Sequence, residues 1–373
     1  MADLHGQYKK IKQEIDKEIF QVIESTQFIN GQAVKEFQKD LESYLKVKHV
    51  IPCANGTDAL QLAMMALGLK PGDEVITSDF TFIATAEVIG LLGLKPVLVD
   101  VDPKSFLIDP EAIRRAITGK TKAIVPVHLF GQSADMEDIV SVAKEHGLSV
   151  IEDTAQAIGA EYFYSNGKTQ KVGTIGEIGC TSFFPSKNLG CFGDGGAIFT
   201  NDDLLAEKLR SFANHGMRVR YYHYNIGVNS RLDSIQAAVL KVKLKYLDQY
   251  NKSRIEAANY YDNAFNGHPD IEIPERVSWS NHIFHQYTLI IKNIDRNKLK
   301  ELLEQKRIPS MIYYPVPLHL QKAYLDPRYK EGDFPVTEAL CQSVLSLPMH
   351  TELEQVQLNY IVENLMEIIE TLY

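Results

Sequence analysis

Between about residues 47 and 215, short β-branched runs alternate with segments in which apolar side chains recur at helical spacing. In residues 58–67, for example, Leu60, Met64 and Leu67 fall on one face of a helix. Strand–helix–strand repetition favours right-handed crossovers and a mostly parallel sheet that is covered by helices on both faces. The pattern predicts an α/β fold with strands at 49–52, 74–77, 95–100, 123–127, 148–151 and 196–200, and helices at 58–67, 83–92 and 136–145.

The pattern changes in the last third of the chain. One long helix is predicted over 233–261, and Gly267, Pro269 and Pro274 then interrupt the chain. The remaining periodicity indicates an α+β unit with a strand at 287–291 and helices at 297–305 and 353–372. We therefore predict a large domain over residues 1–245 and a small α+β domain over residues 246–373, with residues 1 to about 12 packing against the small domain.

The overall charge argues against a nucleic-acid partner. The 373 residues carry a formal net charge of −9, whereas nucleic-acid-binding proteins concentrate Lys and Arg against the phosphate backbone. The densest basic run, residues 241–245, has lysines at alternate positions, which scatters their charges around a helix. We expect this run to be a solvated helix face.

The sequence also gives no indication of membrane insertion, secretion or metal binding. No stretch is long and apolar enough for a membrane span, and the polar start lacks the apolar core of a signal peptide. The cysteines lack Cys-x-x-Cys spacing, and the 11 histidines form no His-Glu-x-x-His motif. We expect a cytoplasmic protein without a metal site.

Asp153 and Lys187 are the first candidates for chemistry. Asp153 ends the apolar run 148–151, and Lys187 follows in the loop Ser182-Phe-Phe-Pro-Ser-Lys187. A carboxylate at the end of a strand can keep the ring nitrogen of pyridoxal 5'-phosphate protonated, and a lysine can bond covalently to the cofactor and later move the substrate proton. The alternative for Asp153 is a helix cap. If both side chains lie in one cleft, the chain is a pyridoxal-phosphate enzyme.

Three residues could hold the cofactor phosphate. Gly56 and Thr57 lie between a predicted strand and helix, where free N–H groups at the start of the helix favour an anion. Ser182, five residues before Lys187, could add its hydroxyl. A simple helix cap by Asn55 or Thr57, and a locally satisfied serine, are the alternative interpretations.

Other residues could hold the cofactor ring. Ala155 and Gln156 directly follow Asp153, so Ala155 could pack under the ring and Gln156 could donate a hydrogen bond to its phenolic oxygen. Phe82 follows a predicted strand and could stack on the other ring face, although Phe80 and Phe82 could equally be core residues.

Together, six segments resemble the DegT/DnrJ/EryC1/StrS family of sugar aminotransferases, which have the aspartate-aminotransferase fold (fold type I). They occur in family order over most of the chain: Ala54-Asn-Gly-Thr-Asp-Ala-Leu60, Pro71-Gly-Asp-Glu-Val-Ile76, Glu152-Asp-Thr-Ala-Gln156, Ser182-Phe-Phe-Pro-Ser-Lys187, Gly193-Asp-Gly-Gly-Ala197 and Asn229-Ser-Arg-Leu-Asp233.

The resemblance implies a role for each matching residue. Lys187 would carry pyridoxal 5'-phosphate and Asp153 would pair with its ring nitrogen. Gly56, Thr57 and Ser182 would hold its phosphate, while Gln156 and Phe82 would contact its ring. Asn229 would reach the phosphate of the neighbouring subunit, so a homodimer would share its active sites. Some relatives have histidine in place of the lysine and act as dehydratases, so Lys187 favours transamination.

The resemblance also suggests a reaction. It is greatest to the branch that moves the amino group of L-glutamate to C3 of UDP-2-acetamido-2-deoxy-3-oxo-glucuronate for surface polysaccharides such as the O-antigen of lipopolysaccharide. Tyr313 stands where the family often has histidine in a His-Tyr-Pro segment. Predicted substrate contacts are Arg231, Tyr313, Tyr314 and His319, and Arg218, Arg220 and His223 are further candidate cations for the diphosphate and carboxylate.

Three alternatives stay open from the sequence. The amino group could go to another UDP- or dTDP-linked 3-keto or 4-keto sugar. The chain could be a non-catalytic regulatory protein of the same fold that binds the cofactor or a nucleotide sugar, because a fold alone does not determine function. A nicotinamide-dependent oxidoreductase would also use a parallel sheet, but the glycine fingerprint after the first strand is missing.

Overall fold

The computed structural model describes residues 1–372 and has fourteen strands, numbered here in chain order. They are β1 (His49–Cys53), β2 (Glu74–Ser78), β3 (Lys95–Val99), β4 (Thr121–Val125), β5 (Ser149–Asp153), β6 (Glu161–Phe163), β7 (Thr169–Lys171), β8 (Ile178–Ser182), β9 (Gly196–Thr200), β10 (Met217–Val219), β11 (Tyr222–His223), β12 (Ile271–Glu272), β13 (Tyr287–Ile291) and β14 (Val344–Leu347).

Twelve α-helices accompany these strands. They are α1 (Leu4–Ser25), α2 (Gln32–Leu45), α3 (Gly56–Leu67), α4 (Ala84–Leu91), α5 (Pro110–Ala116), α6 (Met136–His146), α7 (Asp203–Phe212), α8 (Ser234–Leu244), α9 (Leu247–Phe265), α10 (Arg296–Gln305), α11 (Pro335–Ser343) and α12 (Gln355–Thr371).

A seven-stranded sheet in the order β1-β9-β8-β5-β4-β2-β3 forms the centre of the molecule. Only β9 runs antiparallel to its neighbours, so the prediction of a mostly parallel α/β sheet is confirmed. Parallel strands place their carboxyl ends at one edge, where such sheets bind ligands. The segments that follow β1, β2, β5 and β8 therefore meet at this edge.

Apolar clusters cover both faces of the sheet. On one face, α3 buries Leu62, Ala63 and Met64 against β8 and β9, and full burial of one such large side chain stabilises the fold by about 1.5–3 kcal/mol. On the other face, α2 and α8 pack on β1 and β9, while α5 and α6 cover β2 to β5. This burial fixes the positions of the strand ends that carry the candidate residues.

The C-terminal part has its own antiparallel sheet, β12-β13-β14, whose apolar cluster is shared with α9, α10 and α12. The proposed domain boundary after residue 245 falls between α8 and α9 and stays a prediction. Near the N-terminus, Gln7 Nε2 donates to Thr351 Oγ1 at 3.3 Å, and Lys10 pairs with Glu352.

Two details differ from the sequence-based expectations. The helix predicted over 233–261 is two helices, because the chain turns at Lys245 and Tyr246, where the Tyr246 hydroxyl bonds to Glu14 of α1. The expectation of a solvated lysine face fails for Lys243, which is buried and donates from Nζ to the Gly190 carbonyl at 2.6 Å. Within residues 1–372, none of the helices combines the length and apolarity that crossing a membrane requires.

Candidate active site

A cavity of about 640 Å³ lies at the carboxyl edge of the central sheet. Its lining comes from the segments after β1, β2, β4, β5 and β8 and from residues 285–286 and 313–314 of the C-terminal part. The predicted site residues that line it are Gly56, Thr57, Phe82, Asp153, Gln156, Ser182, Lys187, Tyr313 and Tyr314. Asn229, Arg231 and His319 are outside this set.

Asp153 is the last residue of β5 and is buried at the base of the cavity. Its Oδ2 accepts a hydrogen bond from Thr85 Oγ1 at 2.9 Å, and its Oδ1 accepts one from the Ala155 N–H at 3.1 Å. Because each oxygen has a fixed donor, the carboxylate has one orientation and keeps further lone pairs for a cationic group. Thr85 belongs to α4 and no sequence motif singled it out.

Lys187 follows β8 through a short turn in which its N–H donates to the Phe184 carbonyl at 2.8 Å. Burial lowers the pKa of the Lys187 ammonium to about 8, and the negative charge of Asp153 partly opposes this effect. An amine with this pKa is substantially neutral near pH 8, and the neutral form is the nucleophile. The geometry therefore combines a reactive amine and a fixed carboxylate in one cavity.

The start of α3 and the end of β8 come close together at one side of the cavity, and free N–H groups at the start of a helix favour an anion. The Asn55 side chain accepts from the Asp58 N–H at 2.8 Å. Asn55 therefore caps α3, which was one of the alternatives to phosphate binding in this segment. The N–H groups of Gly56 and Thr57 lie in the first turn, where a helix has no internal acceptors. A Cβ on Gly56 would lie 2.7 Å from Ser182 Cβ, so only glycine permits this approach of helix and strand.

Gln156 and Tyr314 connect the two halves of the cavity. Gln156 Oε1 accepts from the Phe130 N–H at 2.9 Å, which orients the amide, and Gln156 Nε2 donates to the Tyr314 hydroxyl at 3.2 Å. One amide hydrogen of Gln156 remains available to a ligand. Phe82 has 54% of its surface exposed and lies 6.4 Å from Tyr314 between ring centroids, so it can cover a flat ligand.

His285 also lines the cavity, although no sequence motif marked it. Burial lowers the pKa of His285 well below its ordinary value, and the positive charges of Lys187 and Arg254 act in the same direction. Its Nδ1 lies 3.3 Å from Asn188 Oδ1. Both effects favour the neutral form of the His285 imidazole.

The other predicted substrate residues have different surroundings. The His319 side chain is fully buried, with Nδ1 2.6 Å from Asp79 Oδ2, so direct contact with a substrate does not fit its placement. Arg231 is half-buried and donates to Asn214 Oδ1 at 3.4 Å, while Asn229 is exposed. Arg218, Arg220 and His223 lie on the exposed β10–β11 hairpin.

Comparison with known proteins decides the family. The model of the DegT/DnrJ/EryC1/StrS aminotransferase family matches residues 9–366. The chain belongs to this family.

Individual relatives match the chain over nearly its whole length. A pleiotropic regulatory protein of Geobacillus stearothermophilus is 49% identical over 98% of this chain and 97% of its own. The UDP-2-acetamido-2-deoxy-3-oxo-D-glucuronate aminotransferase of Pseudomonas aeruginosa is 44% identical over 96% of this chain and 97% of its own. The crystal structure of DesV from S. venezuelae with a ketimine intermediate has a TM-score of 0.94 at 38% identity. The match covers 99% of this chain and 98% of the DesV chain.

Family membership confirms the predictions of fold type I, of a nucleotide-sugar aminotransferase and of pyridoxal 5'-phosphate as its cofactor. The cavity of this family member fits that cofactor. The start of α3, a lysine amine, a fixed carboxylate and an exposed aromatic ring all line this cavity, and these groups suit a phosphate, an aldehyde, a ring nitrogen and a flat ring.

Proposed function

We propose that this cytoplasmic aminotransferase moves the amino group of L-glutamate to C3 of UDP-2-acetamido-2-deoxy-3-oxo-glucuronate, for surface polysaccharide biosynthesis. The observation that carries the proposal is the placement of Lys187 and Asp153 in one cavity. The Pseudomonas aeruginosa relative bears the name of this reaction and supports the choice of sugar.

Five cavity residues have a proposed task. Pyridoxal phosphate, when bound, supplies an electron-withdrawing ring. Asp153 keeps a proton on the ring nitrogen, because an opposite charge at close range favours the protonated form. Lys187 would hold the cofactor and would then take the proton from the amino-bearing carbon of the substrate and pass it to the cofactor. Gly56, Thr57 and Ser182 bind the phosphate.

We also propose that two copies of the chain complete the substrate site. The side chains that line the cavity include Asp58, Asp153 and Asp194, with Lys187 as the one cation among these described residues. A nucleotide diphosphate and a sugar carboxylate need more positive charge than this. Arg220 and Asn229, on or beside the exposed hairpin, are the groups we propose that a partner subunit supplies.

Exposed apolar side chains support this assembly. Phe20, Ile23, Phe28 and Ile29 of the N-terminal segment are each at least 44% exposed, and Ile226 after β11 is 92% exposed. Large exposed apolar groups mark interaction surfaces. A symmetric contact would cover them and bring the hairpin of one subunit to the cavity of the other.

Reductive labelling tests the proposal directly. Borohydride treatment of the holoprotein should attach the cofactor to the peptide that contains Lys187, and Lys187→Ala should remove this label. Asp153→Asn should still bind the cofactor, because the phosphate and ring contacts remain, but should cut turnover on glutamate and the UDP-linked keto-sugar by at least about 100-fold. A label on another lysine, or near-normal turnover of Asp153→Asn, would contradict these roles.

The regulatory name of the Geobacillus stearothermophilus relative keeps one other function in consideration. A protein that binds the cofactor without turnover would keep the cavity but would not respond to an amino donor. Addition of L-glutamate to the holoprotein separates the two cases, because an aminotransferase changes its cofactor absorption band and a binding protein does not. A panel of UDP- and dTDP-linked 3-keto and 4-keto sugars then identifies the acceptor.

A further inference from the structure

His319 is a buried polar residue for which the proposed mechanism has no use. Asp79 holds His319 through two hydrogen bonds. The backbone N–H of His319 donates to Asp79 Oδ1 at 2.8 Å, and the ring Nδ1 of His319 lies 2.6 Å from Asp79 Oδ2. The Asp79 carbonyl also accepts from the Leu318 N–H at 3.3 Å. These contacts join the segment after β2 to the segment 313–319.

Both joined segments carry side chains of the cavity. Asp79 lies three residues before Phe82, and His319 lies five residues after Tyr314. The aromatic ring of Tyr314 lies 6.0 Å from Phe80 and 6.4 Å from Phe82 between centroids. The Tyr314 hydroxyl in turn accepts the Gln156 hydrogen bond. A shift between the two segments would therefore change the distance between the ring-covering and sugar-facing sides of the site.

The two ring nitrogens of His319 differ in their partners. Nδ1 has the short contact with Asp79, whereas Nε2 has no hydrogen bond among the described residues. Glu338 Oε1 lies 3.3 Å from Nε2 but outside a hydrogen-bonding direction. The Glu338 carboxylate is already used by the Gly332 N–H at 2.8 Å. The Asp79 contact is thus the bond that defines the ring position.

We propose that His319 is a positioning residue that fixes Tyr313 and Tyr314 relative to Phe82 through its Nδ1–Asp79 bond, without touching the substrate. The proposal rests on the proposed function, because Tyr313 and Tyr314 are assigned to the sugar. Small displacements of positioned groups have large effects on bound substrates.

Two amide substitutions of His319 distinguish the roles of its two ring nitrogens. The amide nitrogen of His319→Asn can take the place of Nδ1, whereas that of His319→Gln takes the place of Nε2. We expect His319→Gln to raise the KM for the sugar nucleotide about tenfold with a smaller change in kcat, and His319→Asn to stay within about threefold of the wild-type KM. Asp79→Asn, which weakens the acceptor, should resemble His319→Gln.

Leu303→Ala provides the control for lost stability. Leu303 is fully buried in the C-terminal apolar cluster and does not line the cavity, so its substitution lowers Tm without a change in this KM. A His319→Gln variant that loses Tm at an unchanged KM would show a merely structural role and overturn the proposal. Equal KM increases in the Asn and Gln variants would also overturn it, because the Nδ1 position would then have no special importance.

A second measurement keeps this test separate from the proposed function. The dissociation constant of pyridoxal phosphate for the apoprotein reports on Phe82 and Gln156 and needs no sugar. We expect it to rise about threefold in His319→Gln and to stay at the wild-type value in His319→Asn and Leu303→Ala. If the wild type aminates no sugar, the proposed function fails, but the comparison of cofactor binding still decides the role of His319. Unchanged cofactor binding in His319→Gln would overturn the positioning role of His319.

Discussion

At the scale of single residues, the carboxylate of Asp153 depends on a neighbour that carries no chemistry of its own. Thr85 donates the buried hydrogen bond to Oδ2, and a buried acceptor that loses its donor costs about 1–3 kcal/mol. The orientation of the carboxylate toward the cofactor ring should therefore depend on this hydroxyl.

Replacement of Thr85 tests that dependence. Thr85→Val keeps the shape of the side chain but removes the donor, so we expect kcat to fall about tenfold and the cofactor to bind more weakly. Thr85→Ser restores the hydroxyl and should recover most of both losses. Steady-state kinetics and cofactor titration of the apoprotein measure the effects, and wild-type values for the valine variant would contradict the assignment.

The pKa of Lys187 leads to a pH prediction. Burial lowers this pKa to about 8 from its ordinary value of 10.5, so the neutral amine forms at a lower pH than in a solvated lysine. The rate at which the apoprotein captures pyridoxal phosphate should rise with pH and reach half of its maximum near pH 8. Stopped-flow absorbance measures this rate.

Asp153→Asn provides the control for that measurement. The charge of Asp153 raises the pKa of Lys187, so its removal should move the midpoint of the capture rate to lower pH. A midpoint near 10.5 in the wild type, or a shift to higher pH in the variant, would contradict the electrostatic description of the site.

Some site residues could be predicted from the sequence and others could not. Lys187, Asp153 and Gly56 occur beside strand ends, and a parallel sheet brings such positions together whatever their separation in the chain. Thr85 and His285 lie in an ordinary helix and an irregular segment, so only the tertiary structure brings them to the cavity. His319 lies in a segment resembling the sugar-facing part of the family, but its side chain points into the protein.

At the scale of elements, the close approach of α3 to β8 shapes the phosphate pocket that we propose. Gly56→Ala would place a methyl group 2.7 Å from Ser182 Cβ, so the start of the helix must move away from the strand. We expect the affinity for pyridoxal phosphate to fall at least about tenfold, because the N–H groups of the first turn would no longer point toward the phosphate.

Gly90→Ala is the matched control for this substitution. Gly90 lies in α4, and a Cβ there would meet nothing within 4 Å. This change should leave cofactor binding unaltered and stabilise the fold by about 0.5–1 kcal/mol, because alanine has the higher helix propensity. Cofactor titration and thermal unfolding measure both variants, and unchanged cofactor binding by Gly56→Ala would contradict the proposed phosphate pocket.

The predicted strands agree with the structure where the local apolar pattern and the tertiary packing coincide. The strands near residues 49, 74, 95, 149 and 196 are apolar runs that the sheet buries, so pattern and structure coincide. The turn at Lys245 and Tyr246 carries no Gly or Pro, and the Tyr246 hydroxyl donates to Glu14 of α1, more than two hundred residues away in the chain. β9 runs antiparallel to β8, and the segment 183–195, which contains Lys187, joins the two strands without a helix.

At the scale of the whole molecule, the proposed function makes one chain an incomplete enzyme, because the described cavity lining carries Lys187 as its one cation. The cations that we propose for the substrate lie on β10–β11, outside the cavity lining of their own chain. Sedimentation of the wild type should therefore give a dimer, and a monomer with full activity would contradict this arrangement.

Mixed dimers test whether the hairpin acts across the interface. Lys187→Ala removes the amine from one site, and Arg220→Ala with Asn229→Ala disables the hairpin, so each variant alone should be almost inactive. In a mixed dimer, one site combines both defects, while the other has an intact Lys187 and receives an intact hairpin from its partner. Random exchange of equal amounts should restore about a quarter of wild-type activity, because half of the dimers are mixed and each has one working site. If the hairpin served the cavity of its own chain, every site in the mixture would have one defect and activity would stay at the level of the separate variants.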